Sequence, residues 1–240
     1  MSEAIYRNIG TYLNQDHHSF IKESFKVLAN LIEKRAHELP QQVNALDVGC
    51  ATGALIGYLK QRFPDYSFTG IDNSPELLEV GRAKIGGVPW LLGTALDLPS
   101  NMIDHFDLSF LMGVLSIFDE KDAQKALSEL IRCTRKGGYI YVFGQFNDHE
   151  VDTLIQHRKY KDEEPGPWEK GWNLYSQRTL QNWLKDKVTY CRFIDFNFPF
   201  DLEPKEDPVR TWTIKMEGSQ RRLTNGLKLL VDLKFLEIKV

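Results

Sequence analysis

The sequence predicts an α/β fold built on a doubly wound, mostly parallel sheet, and three observations support that prediction. A strand, a glycine turn and a helix follow one another over 43–63, strand-like and helical segments alternate over 41–145, and further strand-like segments lie at 189–198 and 235–240. Alternation of this kind is typical of parallel sheets that bind a ligand at the carboxyl ends of their strands.

The glycine turn is the segment 47–53, Asp-Val-Gly-Cys-Ala-Thr-Gly. Gly49 and Gly53 let the backbone pass close to a ligand, and the first turn of the next helix presents unpaired N–H groups. Asp72 lies 19 residues after Gly53, at the end of a second strand-like run. Because an acid at about this spacing suits ribose hydroxyls, the pattern predicts a cofactor that contains adenosine.

The spelling of the loop distinguishes between such cofactors. Nicotinamide-binding loops read G-x-G-x-x-G, whereas this loop reads D-x-G-x-x-x-G. A carboxylate at Asp47 repels a diphosphate but suits a cationic amino-acid group. S-adenosylmethionine (SAM) carries such a group, and the segment resembles the first motif of class I SAM-dependent methyltransferases of the bacterial, small-molecule type.

Four later segments resemble the same family, in the family's order. They are the second-strand motif at 70–75, the adenine-contacting loop at 93–99, strand four with its exit at 106–115, and the turn into strand five at 135–142. Each segment is weak evidence alone, but five in register over about 100 residues are specific.

The resemblance implies a Rossmann-like sheet of seven strands that ends in an antiparallel hairpin, formed by 189–198 and 235–240, within a single domain over 1–240. It also implies the cofactor-binding residues. One position departs from the family, because Thr94 stands where many members have an acid for the adenine amino group. The predicted set is Asp47, Gly49, Cys50, Ala51, Gly53, Asp72, Asn73, Ser74, Thr94, Ala95, Leu96, Leu111, Met112 and Gly113.

Helix boundaries follow from capping residues. We expect a helix from Ser19 that stops before Pro40, a helix capped by Ser74, and one capped by Asp119. Gly137 is expected to end the last of these as a C-terminal stop, and another helix is expected from Ser176 to Leu184.

Three segments lie outside the alternating core. Residues 1–40 form a predicted N-terminal helical cap, and 199–226 a predicted insertion within the hairpin. Residues 146–175 are too long for a simple connector and too aromatic for a disordered linker, so we interpret them as a lid on the substrate side.

The sequence offers only weak catalytic candidates. Methyl transfer can rest on alignment and dehydration alone, but a hydroxyl acceptor calls for a general base. His149, just past strand five, is the best placed, and His17 and His18 precede the first helix. A solvent-facing loop histidine is the alternative for each. Cys50 is interpreted as a small filler, because no helper histidine is adjacent.

Composition limits the class of partner. The 240 residues carry a net charge of −3, which argues against nucleic acid as the main partner. No apolar run approaches a membrane span, the first residues do not read as a signal peptide, and the three cysteines lack metal-binding spacing. We therefore expect a cytoplasmic protein without a metal. The exit of strand four lacks an N-P-P-Y signature, which favours a small-molecule acceptor.

The leading hypothesis is a SAM-dependent methyltransferase, with S-adenosylhomocysteine as product, acting on an O or N nucleophile of a small molecule. Resemblance of the final stretch, 223–239, to bacterial enzymes suggests surface-glycan or secondary metabolism. The alternatives are a non-catalytic SAM-fold partner or regulatory protein, and an NAD-dependent oxidoreductase. The oligomeric state stays open, with a homodimer as one alternative.

Overall fold

The computed structural model describes residues 21–161, 163–204, 209–215 and 221–240. The predicted fold is confirmed: a mostly parallel sheet carries helices on both faces. The main strands are β1 (Asn44–Val48), β2 (Ser67–Asp72), β3 (Trp90–Leu92), β4 (Phe106–Met112), β5 (Thr134–Asn147), β11 (Tyr190–Phe196) and β15 (Leu233–Lys239). The helices are α1 (Glu23–Arg35), α2 (Ala54–Arg62), α3 (Pro75–Lys84), α4 (Glu120–Cys133) and α5 (Gln177–Leu184).

The strand order is β11-β15-β5-β4-β1-β2-β3. β1 lies between β2 and β4, parallel to both, so the carboxyl ends of all three strands meet at one edge of the sheet. At the other side β15 runs antiparallel between β5 and β11 and completes the predicted hairpin. The ligand edge predicted from the alternation is therefore formed by consecutive strands of the sheet centre.

Both faces of the sheet are buried, as a parallel sheet with helices on both faces requires. One apolar cluster joins Leu46 and Leu111 of the sheet to α4 and α5, and the other joins Ala45 and Phe110 to α1 and α2. Adjacent residues of one strand thus enter opposite clusters, which is the period-two alternation of a strand.

The helix starts follow the predicted caps. Ser74 Oγ accepts from the backbone N–H of Leu77 at 3.3 Å, Asp119 Oδ1 from that of Asp122 at 3.1 Å, and Ser176 Oγ from that of Thr179 at 3.1 Å. Helix α1 begins at Glu23. The predicted start at Ser19 lies outside the described residues.

One boundary prediction was wrong: Gly137 does not end a helix. Helix α4 already stops at Cys133, and β5 begins at Thr134, whose hydroxyl donates to the carbonyl of Leu130 at 2.8 Å. Gly137, with a φ of +83°, instead lies inside β5 and donates to the carbonyl of Val240 at 2.7 Å. The β4–β5 register shifts there, so the glycine serves an irregular stretch of strand.

A buried acidic residue fixes the far end of α1. Glu237 of β15 is fully buried and accepts hydrogen bonds from Arg35 at 2.8 Å and Arg192 at 2.7 Å. The hydroxyls of Tyr141 and Tyr190 also donate to it, each at 3.1 Å. Helix α1 is therefore fastened to the hairpin by charge-assisted bonds as well as by its apolar face.

The remaining segments form small sheets. Within 146–175, β6 (Gln156–His157) pairs with β9 (Glu169–Lys170), β7 (Tyr160–Lys161) with β8 (Glu164–Pro165), and β10 (Tyr175–Ser176) with β5. After β11, the strands β12 (Trp212–Lys215), β13 (Arg221–Thr224) and β14 (Leu230–Val231) form a three-stranded sheet. None of the helices in the described ranges is long and apolar enough to cross a bilayer.

Candidate active site

The glycine loop leaves β1 in left-handed backbone conformations that only glycine adopts freely. Gly49 and Gly53 have φ of +75° and +76°, and Ala51 between them has a φ of +48°. The loop is held to β2, because the N–H groups of Gly49 and Cys50 both donate to the carbonyl of Ile71, at 2.8 and 3.1 Å. The loop therefore has a fixed shape directly before the start of α2.

Asp72 links this loop to the next helix. One carboxylate oxygen accepts from the N–H of Ala51 at 2.8 Å and the other from the N–H of Ser74 at 2.9 Å. The residue is buried, and burial raises the pKa of Asp72 against the opposing effect of its backbone hydrogen bonds. Asp72 thus has a structural role at the loop, and its remaining lone pairs leave it able to accept from a ribose hydroxyl.

Asp47 is the second buried carboxyl at this edge. Its side chain is 3% exposed. Burial raises the pKa of Asp47 to about 7, the nearby Asp72 adds to the rise, and Lys22 opposes it. Two acids sharing a poorly hydrated edge favour a cationic ligand, since a cation relieves both burial and mutual repulsion.

The predicted adenine loop follows β3. The Thr94 hydroxyl oxygen already accepts from the N–H of Leu96 at 3.1 Å, so the departure from the family acid is used to shape the turn. Ala95 is buried while Thr94 and Asp97 are exposed. Backbone groups of this turn remain the candidates for reading an adenine ring.

The exit of β4 contributes open space. Gly113 has a φ of +75°, donates to the carbonyl of Phe143 at 2.7 Å, and a Cβ added there would meet no atom within 4 Å. The next residue, Val114, packs on the glycine loop, since a Cβ at Gly49 would lie 2.6 Å from its Cγ2. The loop after β1 and the exit of β4 are therefore in contact.

The reactive candidates Cys50 and His149 lie in different environments. Burial raises the pKa of the Cys50 thiol, followed in size by the charges of Asp47 and Asp72, so this thiol is kept neutral. His149 is exposed in the turn after β5, where its N–H donates to Asn147 Oδ1 at 3.0 Å. His17 and His18 lie outside the described residues.

A further feature, not predicted from the sequence, fastens the segment 171–176 beside the exit of β4. The amide of Asn173 donates to the carbonyl of Phe118 at 2.8 Å and accepts from the N–H of Ile155 at 2.7 Å. The hydroxyl of Tyr175 donates to the same Phe118 carbonyl at 2.8 Å. Asn173 is 3% exposed, so the latch is a buried one. The only indication of this latch in the sequence is the presence of a polar residue, Asn173, in an aromatic segment.

Comparison with known proteins agrees with this geometry. Residues 45–138 match the family described as "Methyltransferase domain". The chain is similar to trans-aconitate 2-methyltransferase of Acidovorax sp. (strain JS42), 26% identical over 128 residues, which cover 51% of this chain and 45% of that protein. The chain thus spans about half the length of the curated relatives it matches.

Solved structures extend the likeness to almost the whole chain. An S-adenosylmethionine-dependent methyltransferase from Clostridium acetobutylicum superposes with a TM-score of 0.59, at 14% identity and over 98% of both chains. The 1,6-didemethyltoxoflavin-N1-methyltransferase of Burkholderia thailandensis, with bound 1,6-didemethyltoxoflavin and S-adenosylhomocysteine, superposes with a TM-score of 0.57, at 10% identity over 97% of this chain and 86% of that one. At these identities the likeness shows the fold.

The family match and the fold agree. Residues 45–138 match a methyltransferase domain, and the chain shares the fold of solved S-adenosylmethionine-dependent methyltransferases.

Proposed function

We propose that this protein transfers the methyl group of S-adenosylmethionine to an oxygen or nitrogen nucleophile of a small molecule. The observation that best supports the proposal is that two buried acids, Asp47 and Asp72, both lie beside the glycine loop. The two acids stand at neighbouring strand ends within the segment that matches a methyltransferase domain.

The predicted residues divide between three parts of the cofactor. The loop 49–53 and Asp47 would hold the methionine end, with Asp47 facing the amino group. Asp72, beside Asn73 and Ser74, would accept from the ribose hydroxyls, and Thr94, Ala95 and Leu96 would border the adenine. Leu111, Met112 and Gly113 would close the pocket at the exit of β4.

SAM supplies a methyl group made electrophilic by its sulfonium. The residues of this chain then have to align the acceptor in line with that group and keep water out. The raised pKa values of Asp47 and Asp72 support a role for these two acids in binding the cationic cofactor. Burial makes these carboxyls costly to ionise, and a positively charged cofactor offsets that cost.

The lid (146–175) and the insertion (199–226) are proposed to form the acceptor side. The latch of Asn173 keeps the end of the lid beside the exit of β4, where Gly113 leaves space. A line of rings leads from β5 toward the insertion: Phe143 to Phe196 at 5.1 Å, Phe196 to Phe198 at 5.0 Å, and Phe198 to Phe200 at 5.9 Å between centroids. An acceptor with an apolar or aromatic body suits such a wall.

The acceptor atom decides whether a base is required. A hydroxyl acceptor needs one, and His149 is the proposed group because it follows β5 at the ligand edge. A carboxylate or a neutral amine is already nucleophilic and needs none. The names of two similar proteins, a trans-aconitate 2-methyltransferase and an N1-methyltransferase, support small-molecule acceptors. A surface-glycan or secondary-metabolic role and a cytoplasmic location remain predictions.

The test is formation of S-adenosylhomocysteine from SAM with a panel of small alcohols, phenols, carboxylic acids and amines. We expect turnover with at least one class and loss of turnover in Asp72→Ala. His149→Ala should lower the rate only for a hydroxyl acceptor, with His105→Ala, an exposed histidine at the amino end of β4, as the matched control. Tight SAM binding without turnover on any class would favour the non-catalytic alternative.

A further inference from the structure

One tryptophan lies in a slot made by three glycines from three different elements. The glycines are Gly53 at the start of α2, Gly70 in β2 and Gly81 in α3, and all three are buried. A Cβ on Gly53 would overlap Cη2 of Trp90 and lie 2.8 Å from its Cζ3. A Cβ on Gly70 would lie 2.8 Å from two ring atoms, and one on Gly81 at 3.0 Å from two. The indole therefore contacts backbone where any side chain would stand.

These three contacts join the two halves of the cofactor site. Gly53 ends the glycine loop in a left-handed conformation, and its carbonyl accepts the N–H of Gly57 in the first turn of α2 at 2.8 Å. Gly70 stands two residues before Asp72 in the strand that carries it. The Trp90 ring thus sets the spacing between the glycine loop and β2, the strand that supplies Asp72. Gly81 of α3 forms the third side of the slot.

The indole ring of Trp90 fits the slot because of its size and not because of its Nε1–H group. Trp90 is 7% exposed, and its Nε1–H has no hydrogen-bond partner among the residues that the structure describes. An unpartnered buried donor is a cost to folding. Phenylalanine at this position removes that donor and the distal ring atoms together, which favours a variant that still folds but leaves the slot partly empty.

We propose that Trp90 is a positioning residue for the cofactor loop 49–53. Its indole holds Gly53 against β2 so that the loop and Asp72 keep the separation that SAM binding requires. The inference rests on the proposed assignment of this loop to SAM. It adds a residue that acts on the loop through its contacts with the three glycines.

The first test compares Trp90→Phe with wild type in two readouts. We expect SAM binding by calorimetry to weaken about tenfold, because small displacements of a binding loop are costly. We also expect faster hydrogen exchange in the ligand-free protein at the N–H groups of Gly53 and Gly57. Phe106→Leu, a buried aromatic at the amino end of β4, is the control: it loses packing but should leave both readouts within twofold of wild type.

The second test uses Gly81→Ala, which raises helix propensity and on local grounds should be harmless. In wild type the new methyl presses on a ring already confined by Gly53 and Gly70, so SAM binding should weaken about threefold. In Trp90→Phe the methyl enters vacated space, and no further weakening is expected. Gly86→Ala, whose Cβ meets nothing within 4 Å, is the matched control and should bind SAM as wild type does.

The outcomes separate this inference from the proposed function. Unchanged loop exchange in Trp90→Phe overturns the positioning role, whatever the protein binds. Equal weakening by Gly81→Ala in both backgrounds also overturns it, because the effect would not pass through the ring. Should wild type bind no SAM, the proposed function fails, and the exchange rates alone decide whether Trp90 holds the loop.

Discussion

Asp47→Asn is expected to stabilise the protein assayed without SAM and to weaken SAM binding at the same time. Burial raises the pKa of Asp47 from 3.8 to about 7, with Asp72 adding to the rise and Lys22 opposing it. Because the folded pKa lies above the unfolded one, this group favours folding fully below pH 3.8, and that contribution is lost as the pH rises to about 7. The difference corresponds to at most about 4 kcal/mol in the free energy of unfolding.

The expected effect of Asp47→Asn on SAM binding is unfavourable, whereas its effect on stability is favourable. A cationic amino group favours the ionised carboxyl, so SAM affinity of wild type should fall about tenfold for each pH unit below the pKa of Asp47. Asparagine cannot ionise, and the variant should therefore bind SAM more weakly and without this pH dependence.

The assay is denaturant unfolding and SAM calorimetry from pH 5 to 8 on both proteins. Asp104→Asn, the same substitution at an exposed turn, is the control and should follow wild type. A variant that is no more stable than wild type at pH 8, or that keeps the wild-type slope of affinity against pH, would refute the reasoning about Asp47.

Three further substitutions test other parts of the structure. Asn173→Ala leaves the Ile155 N–H without its bond in the latch, whereas the Phe118 carbonyl keeps the Tyr175 hydroxyl as a donor. At about 1–3 kcal/mol for the unsatisfied N–H, hydrogen exchange over 171–176 should accelerate while SAM affinity stays constant, and unchanged exchange would contradict the latch. Glu237→Gln should lower the free energy of unfolding at pH 7 by about 2 kcal/mol, less than for a fully buried pair because the Arg192 side chain is 48% exposed. Burial raises the pKa of Glu237 but its arginine bonds lower it further, so its contribution is present above pH 4.5 and lost in acid, and urea titrations from pH 3 to 7 should show a flatter acid limb in the variant. Gly49→Ala would place an alanine at a φ of +75°, with its Cβ 2.6 Å from Val114 Cγ2. It should lower the free energy of unfolding by about 1–2 kcal/mol and weaken SAM binding. Gly144→Ala, whose Cβ would meet nothing within 4 Å, is the control and should retain the wild-type SAM affinity.

The parts of the fold that were predictable are those encoded over short stretches. The glycine loop, its strand and its helix occupy consecutive residues, and the caps Ser74 and Asp119 act within three residues of themselves. The hairpin was identified because its two strands resemble those of a known family, and the structure confirms both within about two residues.

The features that the sequence did not reveal depend on distant contacts. Asn173 and Phe118 are 55 positions apart, and no periodicity links them. Trp90 reads as an ordinary strand residue until the fold brings three glycines around it. Gly137 was misassigned because a glycine after a lysine is typical of a helix end, whereas the tertiary pairing with the carbonyl of Val240 places it in a strand.

Calorimetric titration of wild type and Asp72→Ala with SAM and S-adenosylhomocysteine, with NAD as the control ligand, tests the central claim most directly. Our account predicts that wild type binds SAM and its product but not NAD, and that Asp72→Ala, still folded by circular dichroism, loses both. Binding of NAD in place of SAM, or full SAM affinity in Asp72→Ala, would contradict the assignment of this loop and this acid to the methyl donor.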